Sequence, residues 1–402
     1  MAIQKITTDI LKDNSVTGSK MSIGTPEAGD VVYYDGTDYV KLAKGTDGQV
    51  LKLESGLPVW GQGSGGSGGG VPSHLGGTLF LIGSSALPNP TAIHFLNMAT
   101  LGDTQSFGNV TATNDHVPNG PTGNNDRVLV AGGNDNQGNW GSNIIQHFNP
   151  NTQGNTSDFG DLSRFITSPG ACNDATRAVW GGGEQGPVTT NNYNPSDKME
   201  YVTIATNGNA QDLGDLNIIG SNTTGGGGSR TAQTNQMRSS DGCSDGTHGY
   251  WISGYGGFTN SNHFNNPPGA SFLHVIQKFT IQTSANCTQF GTAGTPRTAH
   301  FAETDGTRII YGGGTNVVNA PRSEIDFITN ATGGASSTFG AFLTARRNIG
   351  SGCNGTRAVI SGNTECGNTI EYITTATLGD AQDFGDMVGT NNPALGCAGG
   401  NG

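Results

Sequence analysis

Residues 356–387 read TRAVISGNTECGNTIEYITTATLGDAQDFGDM, and this stretch decides the fold. It holds three signals in order. TRAVISGN (356–363) is a short run of β-branched residues closed by glycine, too short for a helix and suited to a buried strand. TIEYITTAT (369–377) alternates, as a strand with one buried face does. GDAQDFGDM (379–387) is a turn followed by one apolar anchor.

Each signal recurs six times in the same order. The first is GTLFLIGS (77–84), DRVLVAGG (126–133), ATRAVWGGG (175–183), THGYWISG (247–254), TRIIYGGG (307–314) and TRAVISGN. The second is IHFLNMAT (93–100), IIQHFNPNT (144–152), KMEYVTIAT (198–206), VIQKFTIQT (275–283), EIDFITNAT (324–332) and TIEYITTAT. The third runs from GDTQSFGNV (102–110) through GNTSDFGDL (154–162), GNAQDLGDL (208–216), ANCTQFGTA (285–293) and GASSTFGAF (334–342) to GDAQDFGDM. Its Phe, or Leu213, is expected to plug the space between neighbouring sheets. A fourth strand lies before the next first signal, as in ARRNIGSGC (345–353). Four short strands per unit with a period near 50 residues predict an all-β, six-bladed β-propeller over 77–402. The marker glycines 83, 132, 182, 254, 313 and 362 are 49, 50, 72, 59 and 49 residues apart, and the long interval holds the insertion at 225–236. The C-terminal NPALGCAGGNG (392–402) resembles the segment that precedes a first signal, so it is expected to complete the first blade and close the ring.

GSGGSGGG (63–70) reads as a flexible linker, giving a β-rich N-terminal module at 1–62 and a linker at 63–76. Six of the eight lysines precede the linker. Beyond it 13 basic residues face 23 acidic ones, and the whole chain carries −12, which argues against nucleic acid. Charged residues make up only 12%, too few for the disordered class. No run approaches a membrane span, and MAIQKITTDILKDN lacks a secretory pattern, so synthesis in a cytoplasm is expected.

No catalytic motif is legible, and the reading is a non-enzyme without cofactor. Glu184, Glu303, Asp305 and Glu371 are the carboxylates that a glycan-cleaving enzyme would pair across a channel. Asp305 falls in a turn and Glu371 matches Glu200 in the repeat, which favours structural roles. Cys172, Cys243, Cys353 and Cys397 sit just before a first signal, or where one would start, and read as small buried residues around the axis. Cys287 and Cys366 receive no role, and no metal is expected. The Asp-rich turns 158–161, 212–215 and 383–386 read as turn caps in preference to calcium sites. The loops after the first signal vary most and leave the same strand of each repeat, so they should share one face. Trp140, Tyr193, Tyr255, Phe258, His263 and Phe264 are the candidate ligand-binding residues, because aromatics beside amides suit sugars. The competing reading is that they pin long loops to the rim.

The N-terminal ITTDILKDNSVTGSKM (6–21) and GDVVYYDGTDYVKLAKGTDGQVLKLESGLPVWG (29–61) resemble the start of tail-fibre and related appendage proteins of marine bacteriophages, cyanophages especially. TRAVWGGG, IEYITTAT and DFGDL resemble Kelch-like repeats of environmental phage fibres, although the Tyr and Trp pattern of true Kelch repeats is only partly present. The resemblance implies a homotrimeric structural protein of the virion. Residues 1–62 would contact other virion proteins. The propeller would serve receptor binding and host adsorption, through a host cell-surface glycan or protein. A capsid-decorating head fibre is the rival reading.

Overall fold

The computed structural model describes residues 25, 27–45, 49–54, 56–62, 77–82, 91–111, 117–134, 141–185, 194–217, 223–224, 237–238, 241–256, 271–315, 320–361, 367–388 and 396–398. Every regular element among them is β. The chain divides into two compact units, residues 1–64 and 65–402.

The first unit contains two hairpins. Val31–Tyr34 pairs with Tyr39–Leu42 around an Asp35 turn, whose carboxylate accepts from the Thr37 and Asp38 N–H groups. Gln49–Glu54 pairs with Leu57–Gln62, and the Trp60 indole donates to the Ala43 carbonyl at 2.6 Å. No apolar residue described between 25 and 62 is buried.

The second unit is a six-bladed β-propeller. Blade 1 runs from the axis outward as Gly396–Ala398, Thr78–Ile82, Ala92–Asn97 and Gln105–Asn109. Blade 2 is Val117–Gly123, Val128–Asn134, Ser142–Phe148 and Ser157–Thr167. Blade 3 is Gly170–Asn173, Arg177–Gly181, Lys198–Thr203 and Gln211–Asp215. Blade 4 is Asp241–Ser244, His248–Ile252, Val275–Thr280 and Thr288–Thr292. Blade 5 is Phe301–Thr304, Arg308–Gly312, Arg322–Thr329 and Ser337–Arg346. Blade 6 is Ser351–Cys353, Arg357–Ile360, Thr369–Thr374 and Gln382–Asp386. Innermost strands touch in cyclic order, blade 6 meeting blade 1, and Cys397 pairs with Leu81. The C-terminal strand therefore closes the first blade.

One expectation needs refining. The first signal supplies the second strand of each blade, and the innermost strand is the short segment before it. The second strands are buried on both faces because sheets cover them from either side: Leu79, Val179, Trp251 and Ile310 are fully buried. Register also separates the cysteines. Cys172 pairs with Val179 and Cys243 with Tyr250, but Cys353 pairs with Ala358, one step along. A one-residue step reverses the face. Cys172 therefore packs toward blade 4 and Cys353 toward blade 5.

Six apolar clusters fill the six interfaces between blades. The anchor of each third signal sits at such an interface, as expected: Phe159 packs with Trp180 and Val202 of the next blade, and Phe384 with Leu79 and Leu96. Each fully buried anchor contributes about 1.5–3 kcal/mol. The glycine after the anchor has a separate reason. A Cβ on Gly108 would lie 1.9 Å from the Gly154 carbonyl oxygen, and one on Gly340 would lie 2.0 Å from that of Gly379. The next blade's turn runs against this glycine and hydrogen-bonds the outer strand. In blades 5 and 6, Gly379 N–H donates to Phe339 O at 3.0 Å and Ala381 N–H to Ala341 O at 2.8 Å. Asp380 accepts from Ala341 N–H at 2.9 Å.

Candidate binding face

Antiparallel order sorts the loops onto two faces. The turns between first and second strands, and between third and outer strands, share one face. That face is regular. Asn124, Asp174, Asp245, Asp305 and Asn354 each accept from the backbone N–H groups two and three residues on. Asp305 is thus a turn cap, as its place in the repeat predicts. Arg127, Arg177, Arg308 and Arg357 reach from here to carbonyls of the following blade.

The opposite face carries the connections from second to third strands and the crossovers between blades. The connections are the variable loops, and the described strand ends from which they leave share one face. Their bases are built into the ring. In blade 3, Glu184–Gln185 and Asn194–Pro195 form a hairpin stem that extends the sheet of blade 2 through Ile166 and Thr167. In blade 5, Thr315 bridges Thr298 and Pro321. In blade 4, Tyr255–Gly256 and Ser271–Leu273 pair with each other, flanked by Met237–Arg238 and Thr223–Thr224 from the preceding insertion. The long repeat interval and the longest loop therefore build one four-stranded sheet. Tyr255 occupies its Tyr255–Gly256 strand. Trp140, Tyr193, Phe258, His263 and Phe264 lie outside the described residues.

Beneath this face lie three buried latches that motif reading did not find. The Arg164 guanidinium pairs with Glu200 at 3.1 Å and donates to the Lys198 carbonyl at 2.8 Å. Arg297 pairs with Asp326, and Arg346 with Glu371. Each arginine ends one blade and each carboxylate lies on the third strand of the next. Burial pushes the Asp326 and Glu371 carboxyls up, and the facing arginine opposes the shift. Gln146 and Gln277 hold the equivalent places in blades 2 and 4. There a backbone donor replaces the arginine: Asn217 N–H donates to Gln277 Oε1 at 2.7 Å. The sequence signal was available, as an Arg two to four residues after the third signal followed in the next repeat by Glu or Asp. Glu371 matching Glu200 is the half of it that the repeat exposes.

Near the axis, Asp241 and Glu303 face successive interfaces. Asp241 accepts from Ala302 N–H at 2.9 Å, and Glu303 from the Ser351 hydroxyl at 2.7 Å. Enclosure by protein raises Asp241 to about 7 and Glu303 to about 8, the latter also through the Asp241 charge. Both keep some accessible surface, so their isolation from water is partial. Glu303 pairs with Ile310 at the register where blades 3 and 4 place cysteine. Glu184 is buried in its loop stem. Burial lowers His300 to about 3; neither ring nitrogen has a well-formed hydrogen bond, although the Ile252 backbone weakly favours its charged form.

Glu371 and Asp305 are committed to latch and turn. The four nominated carboxylates are thus distributed over a latch, a turn, an axial interface and a loop stem. Comparison with known proteins finds no family model that matches the chain and no curated protein that matches it.

Proposed function

We propose that the chain is a phage virion appendage whose propeller presents a binding face to a glycan of the host surface. One observation carries this reading. The polar residues that recur from blade to blade hold blades together, while the strand ends that carry the divergent loops share one face and their described bases are joined to the ring. Such an arrangement is a rigid scaffold for variable loops, and binding residues concentrate on loops so held.

The first unit supports the attachment half of the proposal. Val32, Tyr34, Tyr39, Leu51, Leu53 and Leu57 are exposed large apolar residues in a segment with no buried apolar residue among those described. A piece of this size gains its core by association. A homotrimer through residues 1–62, docked on other virion proteins, would provide it. Light scattering of the full chain should give three copies; a monomer at micromolar concentration would refute the trimer.

The binding test uses the full chain on a printed array of bacterial surface polysaccharides. Selective retention is expected, and it should fall at least tenfold when 257–270 is replaced by a Gly/Ser stretch of equal length. Absence of retention on every polysaccharide and on intact cells, with the protein found on heads, would favour capsid decoration. Release of oligosaccharide fragments from the array would overturn the non-enzymatic reading.

A further inference from the structure

Five of the six third strands place a polar side chain where it meets the preceding blade. These are Gln146, Glu200, Gln277, Asp326 and Glu371, which pair in register with Val130, Trp180, Trp251, Tyr311 and Ile360 of their own second strands. Each has a partner across its interface, an arginine, a backbone N–H or both. Blade 1 places His94 at this position, opposite Leu81. Directly paired residues, and residues two apart on a strand, share a face of the sheet. His94 therefore stands on the face of Leu81, Leu96 and Met98, which pack against Val359, Ile370, Phe384 and Met387 of blade 6. It occupies the latch position of the seam that the C-terminal strand closes.

Here the latch is unmade. His94 Nδ1 is enclosed and has no hydrogen-bond partner. The N–H that meets the latch residue elsewhere is engaged differently: Val388 N–H donates to Thr104 Oγ1 at 2.8 Å. Its counterparts Ser163, Asn217 and Leu343 donate to Glu200, Gln277 and Glu371 at 3.0, 2.7 and 2.9 Å. A neutral imidazole fits this place, since it can carry its proton on Nε2 and leave Nδ1 a bare acceptor. An imidazolium has an N–H on both nitrogens, and the one on Nδ1 would be buried without an acceptor.

Burial accordingly lowers His94 below the ordinary 6.5, and among the described residues it is the only cause. The elements around it carry Arg357, Tyr372, Asp383 and Asp386 in blade 6 and Asp103 and Cys397 in blade 1. Arg357 lies over the Tyr372 ring and donates to Ala99 O at 2.9 Å, and Asp103 accepts from Asp386 N–H at 2.9 Å. The chain on either side of the seam, 83–91 and 388–396, has no ionisable side chain.

We infer that the seam between blades 6 and 1 is an acid-sensitive closure of the ring, loosened when His94 takes up a proton. The contribution of neutral His94 is complete above the ordinary histidine value and is lost as pH falls through the lowered one. Asp241 and Glu303 act in the opposite direction, at the interfaces of blades 4, 5 and 6, so the effect of His94 is read locally. The inference is independent of the proposed binding role.

The experiment is amide hydrogen exchange of the full chain at pH 7.5 and pH 5.0, corrected for the intrinsic pH dependence of exchange. Gly102 and Thr104 N–H groups donate across the seam to Phe384 O and Asp386 O, and Val388 N–H to Thr104. Gly379 and Ala381 are their counterparts between blades 5 and 6. Exchange at Gly102, Thr104 and Val388 should rise about tenfold at pH 5.0, with no acceleration at Gly379 and Ala381. His94→Gln should abolish the rise. Blade 2 already holds that arrangement, with Thr111 N–H shared by Gln146 Oε1 at 3.3 Å and Thr156 Oγ1 at 2.8 Å, and Thr156 matches Thr104 in the repeat. A rise below twofold at all three amides would overturn the inference. So would an equal rise at Gly379 and Ala381, or a rise that persists in His94→Gln. Should that variant not fold, the wild-type profile decides. Uptake of one proton by histidine requires acceleration that begins below pH ~6.5 and grows at most about tenfold per pH unit, and an onset only below pH ~5 would assign it to carboxylates and overturn the role of His94.

Discussion

Replacing Arg346 by methionine should be among the costliest single changes in the ring. The Arg346 and Glu371 side chains are 0% and 1% exposed, and the pair closes the interface of blades 5 and 6. The arginine also donates to Ser361 O at 3.0 Å and lies over the Phe342 ring at 4.9 Å. Methionine fills much of the volume but leaves Glu371 with a buried, uncompensated oxygen. What then faces the carboxylate is backbone, Leu343 N–H at 2.9 Å and the Thr344 backbone, with no cation. Breaking a buried pair from one side costs about 3–5 kcal/mol. The ring contains its own control, because blade 4 places Gln277 where blade 6 has Glu371 and meets its Oε1 with one backbone donor, Asn217 N–H. The double variant Arg346→Met, Glu371→Gln should therefore recover to within about 1–2 kcal/mol of wild type, an interaction energy of roughly 2 kcal/mol or more. Urea unfolding followed by fluorescence reads this, since Trp180 and Trp251 are fully buried. A double variant no more stable than the single one would refute the charge-burial argument. So would a single variant costing less than about 1 kcal/mol.

Gly108→Ala should lose about 2–4 kcal/mol, because its Cβ would meet the Gly154 carbonyl at 1.9 Å and open a seam of inter-blade hydrogen bonds. Gly154→Ala, with nothing within 4 Å of its Cβ, should change stability by less than about 0.5 kcal/mol; equal effects would dismiss the steric account. Stability should fall as pH rises. Asp241 and Glu303 are raised in the folded state to about 7 and about 8, so the folded protein holds protons that the unfolded chain releases above pH ~4. Their contribution is complete below that pH and is lost through pH 7–8. Partial contact with water limits the loss to about 2 kcal/mol, and Glu303→Gln should flatten the curve between pH 5 and 9. An unchanged slope in that variant would exclude Glu303 as its source. Removing residues 396–402 strips the inner strand from blade 1, and calorimetry should show loss of the cooperative transition at the wild-type temperature; a transition shifted by under about 3 °C would show that closure is dispensable.

Much of the fold was legible because the repeat is local. RAVW, RIIY and LFLI are strands by composition, and FG after a turn marks an interface wherever it occurs. The roles of two residues were half visible: Asp305 by its turn and Glu371 by its match to Glu200. The latches were not read because their partners are separated by 36, 29 and 25 residues, a spacing with no motif. Cys353 illustrates a finer limit. It stands four residues before Arg357 while Cys172 stands five before Arg177, and only strand register turns that difference into opposite faces. Ser253, at φ +48°, carried a faint signal, serine in a place where the other five repeats have glycine, whose meaning depends on a φ value that no string of letters reports.

The sequence by itself determined the number of blades, their order and the closure of the ring. Six copies of three signals, with a last fragment complementary to the first, admit little else once each strand must bury its apolar face. Tertiary structure alone decided which strand lines the axis and which carboxylates meet an arginine. It also decided that the insertion at 225–236 and the loop after Gly254 emerge from a single sheet. The physical reason is range. Strand formation and turns follow from neighbours along the chain, whereas burial, ion pairing and loop stance follow from neighbours across a blade interface, which the ring creates only when it closes.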